Sequence, residues 1–377
     1  MKENKRIWLS PPHMGGKERE LINEVFDTNW ISSIGPCINR FENQLSILSK
    51  NYNVVALSSG TAAIHLALIL AGVQKKDNVL CSSFTFSASA NPIKYLGANP
   101  IFIDSEAESW NMCPELLKKA IVDGIKNNKK PKAIILVHLY GMPAKIDEIL
   151  AIANSFEIPI IEDAAEALGS KYKNQQLGTF TDFGIYSFNG NKIITTSSGG
   201  ALLCKEKKKL EKAKFLSAQA KDAAVHYQHS EVGYNYRMSN VCAAIGEGQL
   251  EVLYDRVIKK REIFNFYKDE LSPIKEIGFL EEFRGAFSNY WLTTILLHKN
   301  SAIDREQLRL HLAKDNIESR PLWKPMHLQP VFKECKSYVN GISEDFFNRG
   351  LCLPSGTDMV QADLNRIVSK VKEIYEI

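Results

Sequence analysis

No stretch of this 377-residue chain approaches the roughly 20 consecutive apolar residues that a bilayer-spanning helix needs. Residues Met1 to Arg6 are charged and polar with no apolar run behind them, so no secretory leader is expected. Cysteine is sparse: Cys37, Cys81, Cys113, Cys204, Cys242, Cys335 and Cys352 are odd in number, scattered, and contain no CxxC pair. That pattern fits neither a disulfide framework nor a cysteine zinc site and suits a reduced compartment, so the cytosol is the expected location. His226 and His229 have no carboxylate or third histidine at a suitable spacing, and no metal is expected. Charge of one sign is also lacking, since 47 Lys+Arg against 43 Asp+Glu leave a net +4. So mild an excess argues against nucleic acid and membrane partners and is compatible with a small anionic substrate. Neither nucleotide fingerprint, GxxxxGK[ST] or GxGxxG, occurs, and there is no internal repeat or low-complexity segment.

What is present, 45% hydrophobic and 24% charged residues, is the composition of a folded globular protein large enough for a large domain and a smaller one. Short apolar strands at 54–57, 79–81, 101–103, 133–137, 158–161 and 183–186 alternate with helical patterns, among them 62–71, 114–125 and 145–154. Strands that are apolar on both sides, separated by helices, predict a largely parallel sheet covered on both faces. A long helix is expected over 240–270, leading to a smaller α+β unit with a strand at 290–297 and helices at 304–315 and 361–375. The division is placed at 1–250 for the large domain and 251–377 for the small one.

Sheets of this kind bind ligands beyond the carboxyl ends of their strands, so residues at those ends belong to one crevice. After the first strand, Ser58-Ser-Gly-Thr61 opens a helix, and free N–H groups with a Thr hydroxyl at a helix start suit a phosphate. Phe84 or Phe86, after the second strand, is positioned to stack on a planar ring. Asp163 comes directly off the 158–161 strand, and Ser187 and Lys192 follow the 183–186 strand. A lone loop lysine ordinarily points into water. Beside a phosphate site, a carboxylate and an aromatic, it reads instead as a partly desolvated amine able to form an imine with an aldehyde cofactor. The set is what pyridoxal 5'-phosphate requires, with the carboxylate keeping the pyridine nitrogen protonated.

The motifs Ser58-Ser-Gly-Thr-Ala-Ala63, Ser83-Phe-Thr-Phe86, Glu162-Asp-Ala-Ala-Glu-Ala-Leu-Gly169, Ser187-Phe-Asn-Gly-Asn-Lys192 and Gly233-Tyr-Asn-Tyr-Arg-Met238, in this order, resemble the DegT/DnrJ family of sugar-nucleotide aminotransferases over essentially the whole chain. The resemblance implies the aspartate-aminotransferase-like fold, with a mostly parallel seven-stranded sheet and a small C-terminal α+β domain. It implies that Lys192 carries the cofactor as an imine, that Asp163 pairs with the pyridine nitrogen, and that Gly60, Thr61 and Ser187 hold the phosphate while Phe86 stacks on the ring. Asn235 is implied to reach the phosphate in a neighbouring subunit, and hence a homodimer with shared sites. Many members have Gln where this chain has Glu166; Gln can donate to the cofactor's phenolic oxygen, and an ionised Glu only accepts. Glu166 therefore either holds a proton or points elsewhere.

Leu9-Ser-Pro-Pro-His-Met-Gly-Gly16, Arg320-Pro-Leu-Trp-Lys-Pro-Met-His327 and Leu353-Pro-Ser-Gly356 add a similarity to bacillosamine-type enzymes that aminate C4 of UDP-linked 4-keto-6-deoxy-N-acetylglucosamine from L-glutamate, in glycan biosynthesis. Trp30, Arg320 and His327 are the candidate substrate contacts. A perosamine-type enzyme acting on a GDP-linked 4-keto sugar shares most of these motifs. A sugar dehydratase of the same fold is disfavoured because those enzymes resemble this chain except for His in place of the lysine, and a non-catalytic regulator because it leaves Lys192 and Asp163 idle.

Overall fold

The computed structural model describes residues 4–376. Seven strands of the main sheet come in chain order: β1 Asn53–Leu57, β2 Asn78–Ser82, β3 Asn99–Ile103, β4 Ala133–Val137, β5 Ile160–Asp163, β6 Phe183–Ser187 and β7 Gly200–Cys204. Their spatial order is β1-β7-β6-β5-β4-β2-β3, with the two-residue strand Ser337–Tyr338 added parallel to β3 as an eighth. Only β7 runs antiparallel, to β1 and β6 on its two sides, and all other pairings are parallel.

The strand residues are buried almost throughout, which follows from helices covering both faces. The helix Gly60–Leu70 is apolar all round and accordingly lies in the interior, packed on β7 and β6. The helix Pro36–Leu48 buries Cys37, Ile38, Phe41 and Leu45 in the cluster on the opposite face.

Two sequence expectations change here. The single helix over 240–270 is two helices, Asn240–Glu251 and Leu253–Leu271. Val252, at φ −104° and ψ 7°, leaves helical geometry, and its side chain packs against the backbone of Gly15, so the chain turns where the N-terminal segment crosses. Before the charged helix Lys207–Ser217 stands a full strand, β7, beyond the six strands read from the sequence.

Beyond the second helix a smaller antiparallel sheet has the order Ile277–Phe279, Thr293–Leu297, Gly350–Leu353, Arg320–Pro321. Its core, which includes Ile263, Tyr267, Ile295, Leu351 and Val371, also takes in Ile7. Ile7 forms a parallel bridge with Ile317, and Ser355 donates its N–H to Leu9 O at 2.6 Å. The N-terminal segment is thus strapped to the smaller unit, while Ser337–Tyr338 lends that unit's chain to the large sheet. Among the described residues no helix is long and apolar enough to cross a membrane.

Candidate active site

Five strands of the large sheet end at one place. The first turn of the helix Gly60–Leu70 follows β1, the segment Thr85–Ser89 follows β2, Val137 ends β4, Asp163 ends β5, and Ser187 with the Asn189–Lys192 loop follows β6. These residues line a cavity of about 270 Å³. A second, open cleft of about 820 Å³ adjoins it, and Thr85, Phe86, Asn191, Trp291 and Trp323 belong to both.

At one end of the cavity the helix N-cap Ser59 accepts the Ala62 N–H at 3.0 Å. The N–H groups of Gly60 and Thr61 precede the helix's own hydrogen-bond ladder and carry its positive dipole end. Gly60 lies close against Ser187: a Cβ on Gly60 would come within 3.2 Å of the Ser187 Cβ. Gly200 is tighter still, because a Cβ there would lie 2.3 Å from the Gly60 nitrogen. A side chain at either position would fill the cradle, which is why small residues meet here.

Asp163 forms the floor. The Ser89 hydroxyl donates to its Oδ2 at 2.7 Å and the Ala165 N–H to its Oδ1 at 3.2 Å. Burial pushes this carboxyl above its ordinary range, against the pull of these donors and of the Lys192 charge. Beneath it, His138 and Glu162 are fully buried with Nε2 and Oε1 3.0 Å apart. The Ala144 N–H donates to His138 Nδ1 at 3.0 Å, which leaves the ring proton on Nε2 for Glu162.

Lys192 reaches in from the loop, its side chain only 12% exposed. Nζ is 3.5 Å from Glu166 Oε1 and sits over the Trp291 ring at 4.1 Å from the centroid. The Trp291 indole N–H in turn donates to Asn191 O at 2.7 Å, tying the loop to the wall. Glu166 therefore points into the cavity, not away from it. Its other oxygen accepts the Tyr140 N–H at 2.7 Å, and burial raises its pKa while the Lys192 charge opposes the rise. Tyr140 makes that contact from the left-handed region, φ 53°, followed by Gly141 at φ 87°. A Cβ on Gly141 would collide with Asn289 Oδ1, so the turn requires glycine. The Tyr140 ring is stacked between Trp291 and Trp323, with centroids 6.4 Å and 6.3 Å away.

Of the residues singled out from sequence, Gly60, Thr61, Phe86, Asp163, Glu166, Ser187 and Lys192 line the smaller cavity. Phe86 is half exposed beside Trp323, whereas Phe84 is buried in the core against Phe346. Arg320 lines the larger cleft, paired with Glu318 at 2.8 Å. Trp30 and His327 line neither cavity of the single chain: Trp30 is on the loop before the helix Pro36–Leu48, and His327 is held by Ser83 Oγ, 2.6 Å from its Nδ1. Asn235 is exposed and outside its own chain's cavities, bridging to Ala218. Sequence reasoning gave no role to Trp291, Trp323, Tyr140 or Ser89. Trp323 stood inside a quoted motif, but the other three carry no local signal.

The model of the DegT/DnrJ/EryC1/StrS aminotransferase family matches residues 12–372. The chain belongs to this family. It is 48% identical over 376 residues, 99% of this chain and 96% of the other, to EpsN of Bacillus subtilis (strain 168), by name a provisionally assigned pyridoxal phosphate-dependent aminotransferase. It is 39% identical over 371 residues, 98% of this chain and 99% of the other, to the GDP-perosamine synthase of Escherichia coli O157:H7. The fold superimposes with a TM-score of 0.91 on a provisionally assigned sugar aminotransferase, Spr1654 of Streptococcus pneumoniae, in its PMP form, at 26% identity and covering 99% and 98% of the two chains.

This chain is a pyridoxal phosphate-dependent sugar aminotransferase with the aspartate-aminotransferase-like fold. Its own residues fit the cofactor. The Gly60–Ser187–Gly200 cradle is closed to side chains and open to an anion at a helix start, the buried Asp163 offers an acceptor at the floor, and Lys192 supplies an amine at the rim.

Proposed function

We propose that this aminotransferase moves an amino group from L-glutamate to C4 of a nucleotide-linked 4-keto-6-deoxy sugar, UDP-2-acetamido-2,6-dideoxy-4-keto-hexose, for surface glycan biosynthesis. In this reading Lys192 binds the cofactor's aldehyde, Asp163 faces the pyridine nitrogen, and the Gly60 and Thr61 N–H groups with the Ser187 hydroxyl hold the phosphate. Phe86 flanks the ring, and Asn235 completes the phosphate site of a second subunit, so that the working form is a homodimer. When bound, pyridoxal phosphate supplies a protonated ring that acts as an electron sink. Asp163 keeps that ring nitrogen protonated through its buried oxygen. Lys192 Nζ, once free, would carry a proton from the cofactor's reacting carbon to the sugar's C4, and Glu166, 3.5 Å away, orients that nitrogen. The adjoining cleft, with Arg320 and Lys324 on its wall, receives the nucleotide diphosphate.

The observation that carries the reading is the enclosure of Lys192 Nζ in the cavity that also holds Asp163, Ser187 and the helix start. A GDP-linked 4-keto sugar is the second reading, favoured by the 39% identity to a GDP-perosamine synthase. Incubating the purified protein with the cofactor, L-glutamate and a panel of UDP- and GDP-linked 4-keto sugars tests both. An aminated UDP sugar, identified by mass and coupling constants, is expected. Amination of the GDP sugar alone replaces the first reading with the second, and no amination of any member contradicts both.

A further inference from the structure

Lys260, in the middle of the helix Leu253–Leu271, is 98% buried and has no acidic partner within salt-bridge distance among the described residues. Its ammonium is instead surrounded by three oxygens from three separate segments: Trp291 O at 2.8 Å, Ser355 O at 2.8 Å and Ser10 Oγ at 3.2 Å. Trp291 is the wall residue over Lys192, and Ser10 lines the larger cleft. We propose that Lys260 is a positioning residue of the substrate cleft, tying Ser10, Trp291 and Ser355 together, and that gain or loss of its proton reverses the hydrogen bond to Ser10 and thereby what Ser10 offers to a ligand.

The chemistry follows from counting donors. An ammonium has three N–H groups and no lone pair, so it donates to both carbonyls and to Ser10 Oγ, and the Ser10 hydroxyl proton is free to point into the cleft. A neutral amine has two N–H groups and one lone pair. It still donates to both carbonyls, but the third contact survives only if the Ser10 hydroxyl donates back to nitrogen, leaving lone pairs alone toward the cleft. Every buried group is satisfied in both states, so neither state breaks the knot.

Burial lowers the Lys260 pKa to about 7, with Asp358 pulling the other way, so both states are accessible near neutrality. The groups facing it are few. On its own helix, Arg256 donates to His13 Nδ1 at 2.7 Å and to Met14 O at 3.0 Å, and Tyr267 donates to Pro354 O at 2.8 Å. From the N-terminal strap comes His13, whose pKa burial and Arg256 lower; from the wall loop Tyr290, pushed far up by burial; and from the 354–358 turn Asp358. Of these, Lys260 is the group that changes charge as pH climbs through 7.

The inference rests on the cleft being the path of the sugar substrate, and the experiment has one arm that does not. In the first arm, thermal unfolding of the holoenzyme is compared with Lys260→Met between pH 6 and 10. Because the folded state gives up a proton that the unfolded state keeps, the unfolding constant of the wild type should fall relative to the variant by up to about tenfold per pH unit above about 7. Parallel curves overturn the role of the proton. In the second arm, KM for the accepted nucleotide sugar is followed from pH 6 to 8.5 in the wild type and in Ser10→Ala, which keeps the buried lysine and serves if Lys260→Met fails to fold. A wild-type change of about fivefold that is flat in Ser10→Ala supports the proposal. Normal turnover with the same KM profile in both overturns it and leaves the transaminase reading standing.

Discussion

Lys192 Nζ lies 4.1 Å from the centroid of the Trp291 ring, and the indole N–H of the same residue fastens the Lys192 loop at Asn191 O. One side chain thus holds both the amine and the backbone that carries it, although it comes from the loop before the Thr293–Leu297 strand and stands 99 positions away in the chain. Trp291→Phe keeps a ring and removes the donor. The loss of one hydrogen bond, about 1 kcal/mol, should weaken cofactor retention about fivefold, read by titrating apoprotein with pyridoxal phosphate. Trp291→Ala also removes the ring face and should cost more.

Asp163→Asn preserves shape and leaves the helix start, Ser187 and Lys192 in place. Cofactor affinity should fall modestly while turnover drops by two orders of magnitude or more, since a ring whose nitrogen is not protonated is a poor electron sink. Near-normal turnover contradicts the role assigned to Asp163.

Burial raises the Glu166 pKa in the folded state, so its contribution to stability is fully present below the ordinary carboxylate range and is lost as pH rises through the folded value. In apoprotein, Glu166→Gln should therefore gain on the wild type as pH climbs above that range, by no more than about 1.4 kcal/mol per pH unit, and the gain should vanish in acid. Thermal midpoints across pH measure it.

Gly200→Ala places a methyl group against the Ser59–Gly60 backbone, which cannot yield as a flexible side chain would. A loss of about 1–3 kcal/mol in stability is expected, with weaker phosphate binding because the helix start must shift. Differential scanning calorimetry and inorganic phosphate competition check the two effects.

The proposed sharing of sites between subunits makes a separate expectation. Lys192→Ala and Asn235→Ala homodimers should each be impaired, yet a refolded mixture should recover about a quarter of wild-type activity, because mixed dimers contain one intact site. No recovery contradicts the sharing.

The parts of the site that were legible in sequence are those whose chemistry sits in one short run. Strand, small polar residues and helix mark the helix start at Gly60, Asp163 ends one apolar strand, and Lys192 lies in the loop that follows another. Glu166 was half legible, its type being plain and its direction not, because the direction is set by the Tyr140 N–H in a left-handed turn. Trp291, Tyr140 and Lys260 were illegible since their partners are distant in sequence and local pattern marks them as ordinary core. The strand β7 was hidden for a related reason. Gly199 and Gly200 read locally as a turn or a close backbone approach, and the structure has the approach, with Gly200 opening a strand against the Ser59–Gly60 backbone. The broken helix at Val252 belongs here too, as its cause is the crossing N-terminal segment.

The account depends above all on which nitrogen takes the cofactor. Reconstituted protein treated with borohydride and digested should carry the reduced pyridoxyl mass on the peptide containing Lys192, and Lys192→Ala should lose both that adduct and the absorbance of the linked cofactor. An adduct on another lysine, or an unchanged spectrum in Lys192→Ala, would contradict it.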